Sequence, residues 1–144
     1  MRCVKNLSLA AMLAMFASPA FAADVTISDA WFRALPAGLP AGGYFTLHNN
    51  MDKDMALTGA SSSACGMIML HRSMNMGGME QMKMVKSVTV PAHGEIAFKP
   101  GDYHLMCMKP KAEMKPGGTV SVTFEFADGT KAQAMFAVKG PKGE

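Results

Sequence analysis

His104 and Met106 are separated by a single position in the run Tyr103-His104-Leu105-Met106-Cys107. In an extended strand successive side chains alternate between faces, so this imidazole and this thioether project to one side while Leu105 and Cys107 project to the other. A second histidine, His71, closes the run Gly66-Met67-Ile68-Met69-Leu70-His71, and Met82 lies at the start of the next extended segment. A hairpin between those segments brings His71 and Met82 together across its base. Two imidazoles and two thioethers form a neutral, soft donor set, which suits Cu(I) better than Mg²⁺ or Ca²⁺, cations that ask for oxygen. Zinc usually recruits thiolate or carboxylate, and the chain has no Cys-x-x-Cys or His-Glu-x-x-His spacing. Thioethers also escape the disulfide chemistry that disables a thiolate site outside the cytoplasm.

Methionine is over-used in the same region. Of 16 in the chain, the seven residues Met67, Met69, Met74, Met76, Met79, Met82 and Met84 fall within 18 positions. Filling gaps in a core accounts for one or two of these. Met74, Met76 and Met79 read as an auxiliary landing patch for a soft ion. His48 and His93 sit in or beside predicted turns, have no Met or Cys at strand spacing, and read as surface residues. Trp31 and Tyr44 read as anchors of the fold. No nucleophile-plus-base arrangement is visible, so a hydrolase is set aside and no enzyme is expected; a copper electron-transfer protein, a copper-storage or resistance protein and a metal-free binding sandwich stand as the alternative readings.

The elements that must position these residues are strands. Short alternating or apolar runs are separated by Gly, Pro, Asn and Asp, and none sustains a 3.6-residue period. Nine strands are expected: Thr26–Arg33, Gly43–Asn49, Met55–Ser61, Gly66–His71, Gln81–Lys86, Glu95–Phe98, Tyr103–Lys109, Thr119–Phe126 and Ala132–Val138. That number and spacing point to an all-β sandwich. Ala127-Asp128-Gly129 is the clearest hairpin, flanked by alternating Val120, Val122, Phe124 and Phe126 and by Ala132, Ala134 and Phe136.

Met1 to Ala22 reads as a signal peptide. Arg2 and Lys5 supply the positive start, Leu7 to Phe16 the apolar stretch, and Pro19-Ala20-Phe21-Ala22 the small-x-small end, with cleavage expected after Ala22. The apolar stretch is shorter than the roughly 20 residues a membrane span needs. Ala23 to Glu144 is then one exported domain, expected in the periplasm, soluble and monomeric. Arg2 and Lys5 account for two of the formal +3 charges, leaving about +1 and no basic stripe for nucleic acid or anionic membrane. Cys65 and Cys107 either pair or remain two small buried hydrophobes; free, core-type residues are the reading adopted.

At the ligand positions the sequence resembles the PCuAC family of periplasmic copper chaperones, whose pattern is His, ten residues, Met, twenty-one residues, His-x-Met. Here the pattern is met by His71, Met82, His104 and Met106, and it favours Met82 over Met84, which lies on the same strand face two residues on. Asp29-Ala30-Trp31-Phe32-Arg33, Ala41-Gly42-Gly43-Tyr44-Phe45, Gly59-Ala60-Ser61-Ser62, Val90-Pro91-Ala92 and Lys99-Pro100-Gly101-Asp102-Tyr103 are also similar to family segments. The resemblance implies a cupredoxin-like or immunoglobulin-like β-sandwich with one Cu(I) at a shallow surface site. It also implies delivery toward the copper centre of cytochrome c oxidase subunit II, often with a thioredoxin-like Sco protein. Asp102 replaces the usual Gly and Cys107 the usual Leu, and the His- and Met-rich tail of some members, associated with a second site, is not seen, so one ion is expected.

Overall fold

The computed structural model describes residues 24–144; the expected signal segment lies outside the described residues. Ten strands follow in chain order: β1 (Val25–Arg33), β2 (Ala41–Asn49), β3 (Met55–Ser61), β4 (Cys65–Met76), β5 (Met79–Met84), β6 (Val88–Val90), β7 (Glu95–Phe98), β8 (Tyr103–Pro110), β9 (Thr119–Phe126) and β10 (Lys131–Lys139). They form one hydrogen-bonded path, β5-β4-β8-β2-β1-β10-β9-β3-β6, with β7 also paired to β2. The path folds over on itself as a β-sandwich. β1 makes the turn between layers, because a register shift between Ser28 and Trp31 bends it, and only Trp31 to Arg33 pair with β10, in parallel.

Alternation decides what lies between the layers. Phe45 of β2 packs against Phe98 of β7, ring centres 4.4 Å apart, and meets Phe124 of β9 at 4.9 Å and Phe136 of β10 at 5.8 Å. Phe32 of β1 completes the cluster, 5.0 Å from Phe136. Leu70, Leu105 and Cys107 join the same core from β4 and β8. Those two strands therefore turn their intervening residues, including His71, His104 and Met106, to the outer face.

The sequence expectation needs three corrections. β4 does not stop at His71 but runs on to Met76, turns at Gly77 and Gly78, both with positive φ, and returns as β5. The stretch between His71 and Met82 is thus hairpin and not loop; its Ser, Asn, Glu and Gln hide the pairing because neither side of it is buried in the core. Val88–Val90 adds a short strand against β3. Cys65 and Cys107 are joined, with Cα atoms 5.5 Å apart, and are not free thiols. Pairing of β4 with β8 brings together two positions 42 residues apart, and a crosslink over such a span contributes roughly 2–4 kcal/mol through the unfolded chain.

Candidate metal site

The antiparallel register of β4 with β8 pairs Met67 with Met108, Met69 with Met106 and His71 with His104. β5 continues the same face outward, with Met84 opposite His71 and Met82 opposite Ser73. Paired residues in an antiparallel sheet point to one side, so two histidines and six methionines share this face. The His71 and His104 rings meet edge-on with centroids 5.7 Å apart.

Both rings carry a nitrogen ready to bind. Nδ1–H of His104 donates to the carbonyl oxygen of Asp102 at 3.1 Å, which leaves Nε2 with its lone pair. That Nε2 and Nδ1 of His71 are buried and have no hydrogen-bond partner. Buried polar atoms are nearly always paired, so two orphans side by side mark a place where something else supplies the partner. Burial, and then the neighbouring His104, hold the pKa of His71 below its ordinary value and favour the neutral ring that a metal requires. Among the described residues no group of three or more His, Cys, Asp or Glu side chains is placed to hold a metal. The neighbouring positions on the face that these imidazoles share carry thioethers, which are further soft donors.

His104, Met106 and Met82 line an open cleft of about 220 Å³, with Ser73 and Glu80 on the hairpin side and Arg33, Gly42 and Tyr44 opposite. His71 does not line this cleft and is tied to it as the cross-strand partner of His104. His71, His104 and Met106 are thus held by the central β4–β8 pairing, whereas Met82 comes from the exposed edge strand β5, one rung beyond His71. Met84 is directly opposite His71, on the same strand face as Met82, and both carry a flexible thioether.

Sequence reasoning overlooked the far wall. Arg33 lies with its guanidinium carbon 5.4 Å from the ring centres of both Trp31 and Tyr44, and Tyr44 lies 6.5 Å from His104, centre to centre. Gly42 sits between Arg33 and Met106 in the register. A Cβ there would come 2.7 Å from the Tyr44 hydroxyl, so the glycine makes room for the tyrosine that walls the cleft. The signal was present in the alternation Trp31-x-Arg33 paired with Gly42-x-Tyr44, but it needed the β1–β2 register to be read.

The other histidines are engaged elsewhere. His48 has Nδ1 2.9 Å from Glu95 and Nε2 3.2 Å from Ser28, and Nε2 of His93 is 2.6 Å from Asp52. Cys107 is committed to its disulfide on the core side, so it offers no thiolate to the His71–His104 face.

The LpqE-like family model matches residues 25–138, which is nearly the whole described chain. The chain belongs to this family, which is related to PCuAC domains. Lxx21020 of Leifsonia xyli subsp. xyli, named as a lipoprotein, is 33% identical over 120 residues, which cover 83% of this chain and 72% of that protein. The solution structure of Cu(I)-DR1885 from Deinococcus radiodurans is 32% identical, with a TM-score of 0.63 over 78% of this chain and 76% of its own. The copper-bound PCuAC domain of PmoF2 superposes with a TM-score of 0.67 over 83% of this chain and 95% of its own, and at 21% identity it speaks for the fold alone. This LpqE-like chain therefore has the PCuAC sandwich, cupredoxin-like or immunoglobulin-like in class, as the sequence led one to expect.

Proposed function

We propose that the protein is an exported copper carrier that binds one Cu(I) through His71, Met82, His104 and Met106 and passes it to another protein in the periplasm. The observation that carries this reading is the pair of buried, unpartnered imidazole nitrogens on a face otherwise furnished with thioethers. Neutral nitrogen and sulfur donors match a soft monovalent ion, and binding by them releases no proton from a thiol. The Cu(I) form of the Deinococcus relative supports copper as the cargo, and the lipoprotein name of the Leifsonia relative fits an exported protein.

A carrier has to give up its ion on contact. An open cleft lets an incoming ligand replace one thioether at a time, and Met82 is the natural first to leave because it belongs to the exposed edge strand. His104, nearly fully buried and fixed through Nδ1, is the natural last. The acceptor proposed is the copper centre of cytochrome c oxidase subunit II, reached directly or with a Sco-like protein.

Anaerobic Cu(I) titration of the mature protein, with X-ray absorption on the loaded form, tests the reading. One tight ion with two nitrogen and two sulfur neighbours is expected, and H104A/M106A should lose it while keeping the β-sheet circular dichroism spectrum. An equally tight ion in the folded double variant would place the site elsewhere.

A further inference from the structure

Beside the cleft, and sharing Met106 with it, the same face carries four thioethers on two adjacent rungs. Met67 pairs with Met108 and Met69 with Met106, directly below the His71–His104 rung. None of the four belongs to the core, whose buried methionines are Met55 and Met114, and Met67 is 58% exposed. Met69, Met106 and Met108 are half-buried, and four methionines kept together outside the core need a reason, while the alternate residues Ile68, Leu70, Leu105 and Cys107 face inward. Cβ atoms of a cross-strand pair stand about 5 Å apart, and successive rungs on one face about 7 Å apart. Three rotatable bonds let each thioether swing over that small rectangle, so three or four sulfurs can meet above its middle.

We propose that Met67, Met69 and Met108, with Met106 shared, form a second Cu(I) site made only of thioethers, adjoining the histidine site. Choosing copper as its ion rests on the function proposed above. Neutral sulfur donors select a soft monovalent cation and offer nothing to Mg²⁺, Ca²⁺ or Zn²⁺. Lacking imidazole, this site holds its ion more weakly than the histidine site. Sharing Met106 lets an ion pass between the two by exchange of single sulfur ligands, with no change of oxidation state and no proton to move.

The test is anaerobic Cu(I) titration against a chromophoric competitor of the mature protein, H71A/H104A, M67L/M108L and the fourfold variant, each checked for folding by circular dichroism. Leucine keeps the bulk of methionine and removes the sulfur. The wild type should bind a second, weaker equivalent, and H71A/H104A should retain one ion with sulfur-only X-ray absorption neighbours. M67L/M108L should keep the tight ion and lose the weaker one, and the fourfold variant should bind none. A folded H71A/H104A without copper, or with an ion indifferent to M67L/M108L, would overturn the second site and leave the histidine site standing. A tight wild-type ion indifferent to H71A/H104A but lost in M67L/M108L would overturn the histidine site instead.

Discussion

The β9–β10 hairpin turns through Asp128 and Gly129 and buries Val120, Val122, Phe124, Phe126, Phe136 and Val138 between the layers. The β4–β5 hairpin turns through Gly77 and Gly78, and β5 is exposed along its whole length. Both are antiparallel pairs with glycine at the turn, yet one is held by apolar burial and the other by little beyond its own ladder. An isolated two-stranded ribbon is at best marginally stable in water, so the outer part of β4–β5 depends on the β4–β8 pairing at its base. Its side chains cannot be explained by what they add to the fold. Stability and metal binding should therefore separate cleanly between the two hairpins.

The largest expected effect is on the buried side. Phe136 is fully buried and packs against Phe32, Phe45 and Phe124. Phe136→Ala should cost about 3–5 kcal/mol of stability. Urea unfolding of the apo protein measures this, and Cu(I) affinity of the fraction still folded should stay close to the wild type. A loss below 1 kcal/mol, as an order of magnitude, would mean that the two hairpins do not differ as their burial indicates.

Next in size is a pair of substitutions on the exposed side. Met82→Leu should weaken Cu(I) binding by at least about tenfold, or roughly 1.4 kcal/mol, and Met84→Leu by less. Both should leave the urea midpoint nearly unchanged, since Met82 and Met84 are 59% and 66% exposed. Met82 lines the cleft with His104 and Met106, whereas Met84 stands opposite His71, so a reversed ranking would move the fourth ligand one rung.

That ranking also marks where the sequence stopped being informative. The β9–β10 hairpin was legible because Val122, Phe124 and Phe126 alternate with polar residues across a recognisable Asp-Gly turn, a pattern that burial itself writes. The common face of His104 and Met106 was legible too, because it needs only the two-residue period of a strand. The Met82-against-Met84 question was not, because β5 is exposed on both faces and leaves no apolar alternation to fix its register. The Cys65–Cys107 bond was hidden for a different reason: two cysteines 42 residues apart become neighbours only once β4 is laid beside β8. Arg33, Gly42 and Tyr44 meet His104 and Met106 only through pairing across three strands, which local composition does not encode.

The smallest expected effect gives the sharpest contrast between the hairpins. Gly78 and Gly129 have φ of +83° and +86°, and a Cβ built on either meets nothing within 4 Å. Alanine at either position therefore brings backbone strain of about 1 kcal/mol and no clash. In Gly129→Ala that strain sits in a hairpin welded to the core, so it should appear as a lower urea midpoint with Cu(I) affinity unchanged. In Gly78→Ala it sits in a ribbon whose outer part can open without unfolding the sandwich, and local opening has its own free energy, well below the global one. The strain should then leave the urea midpoint in place, speed amide hydrogen exchange between Met74 and Met82, and reduce Cu(I) affinity severalfold, because Met82 is held in place only while the hairpin is formed. Equal midpoint shifts in the two variants would show that β4–β5 unfolds with the core, and the independence of the hairpin that carries Met82 from the structural one would be lost.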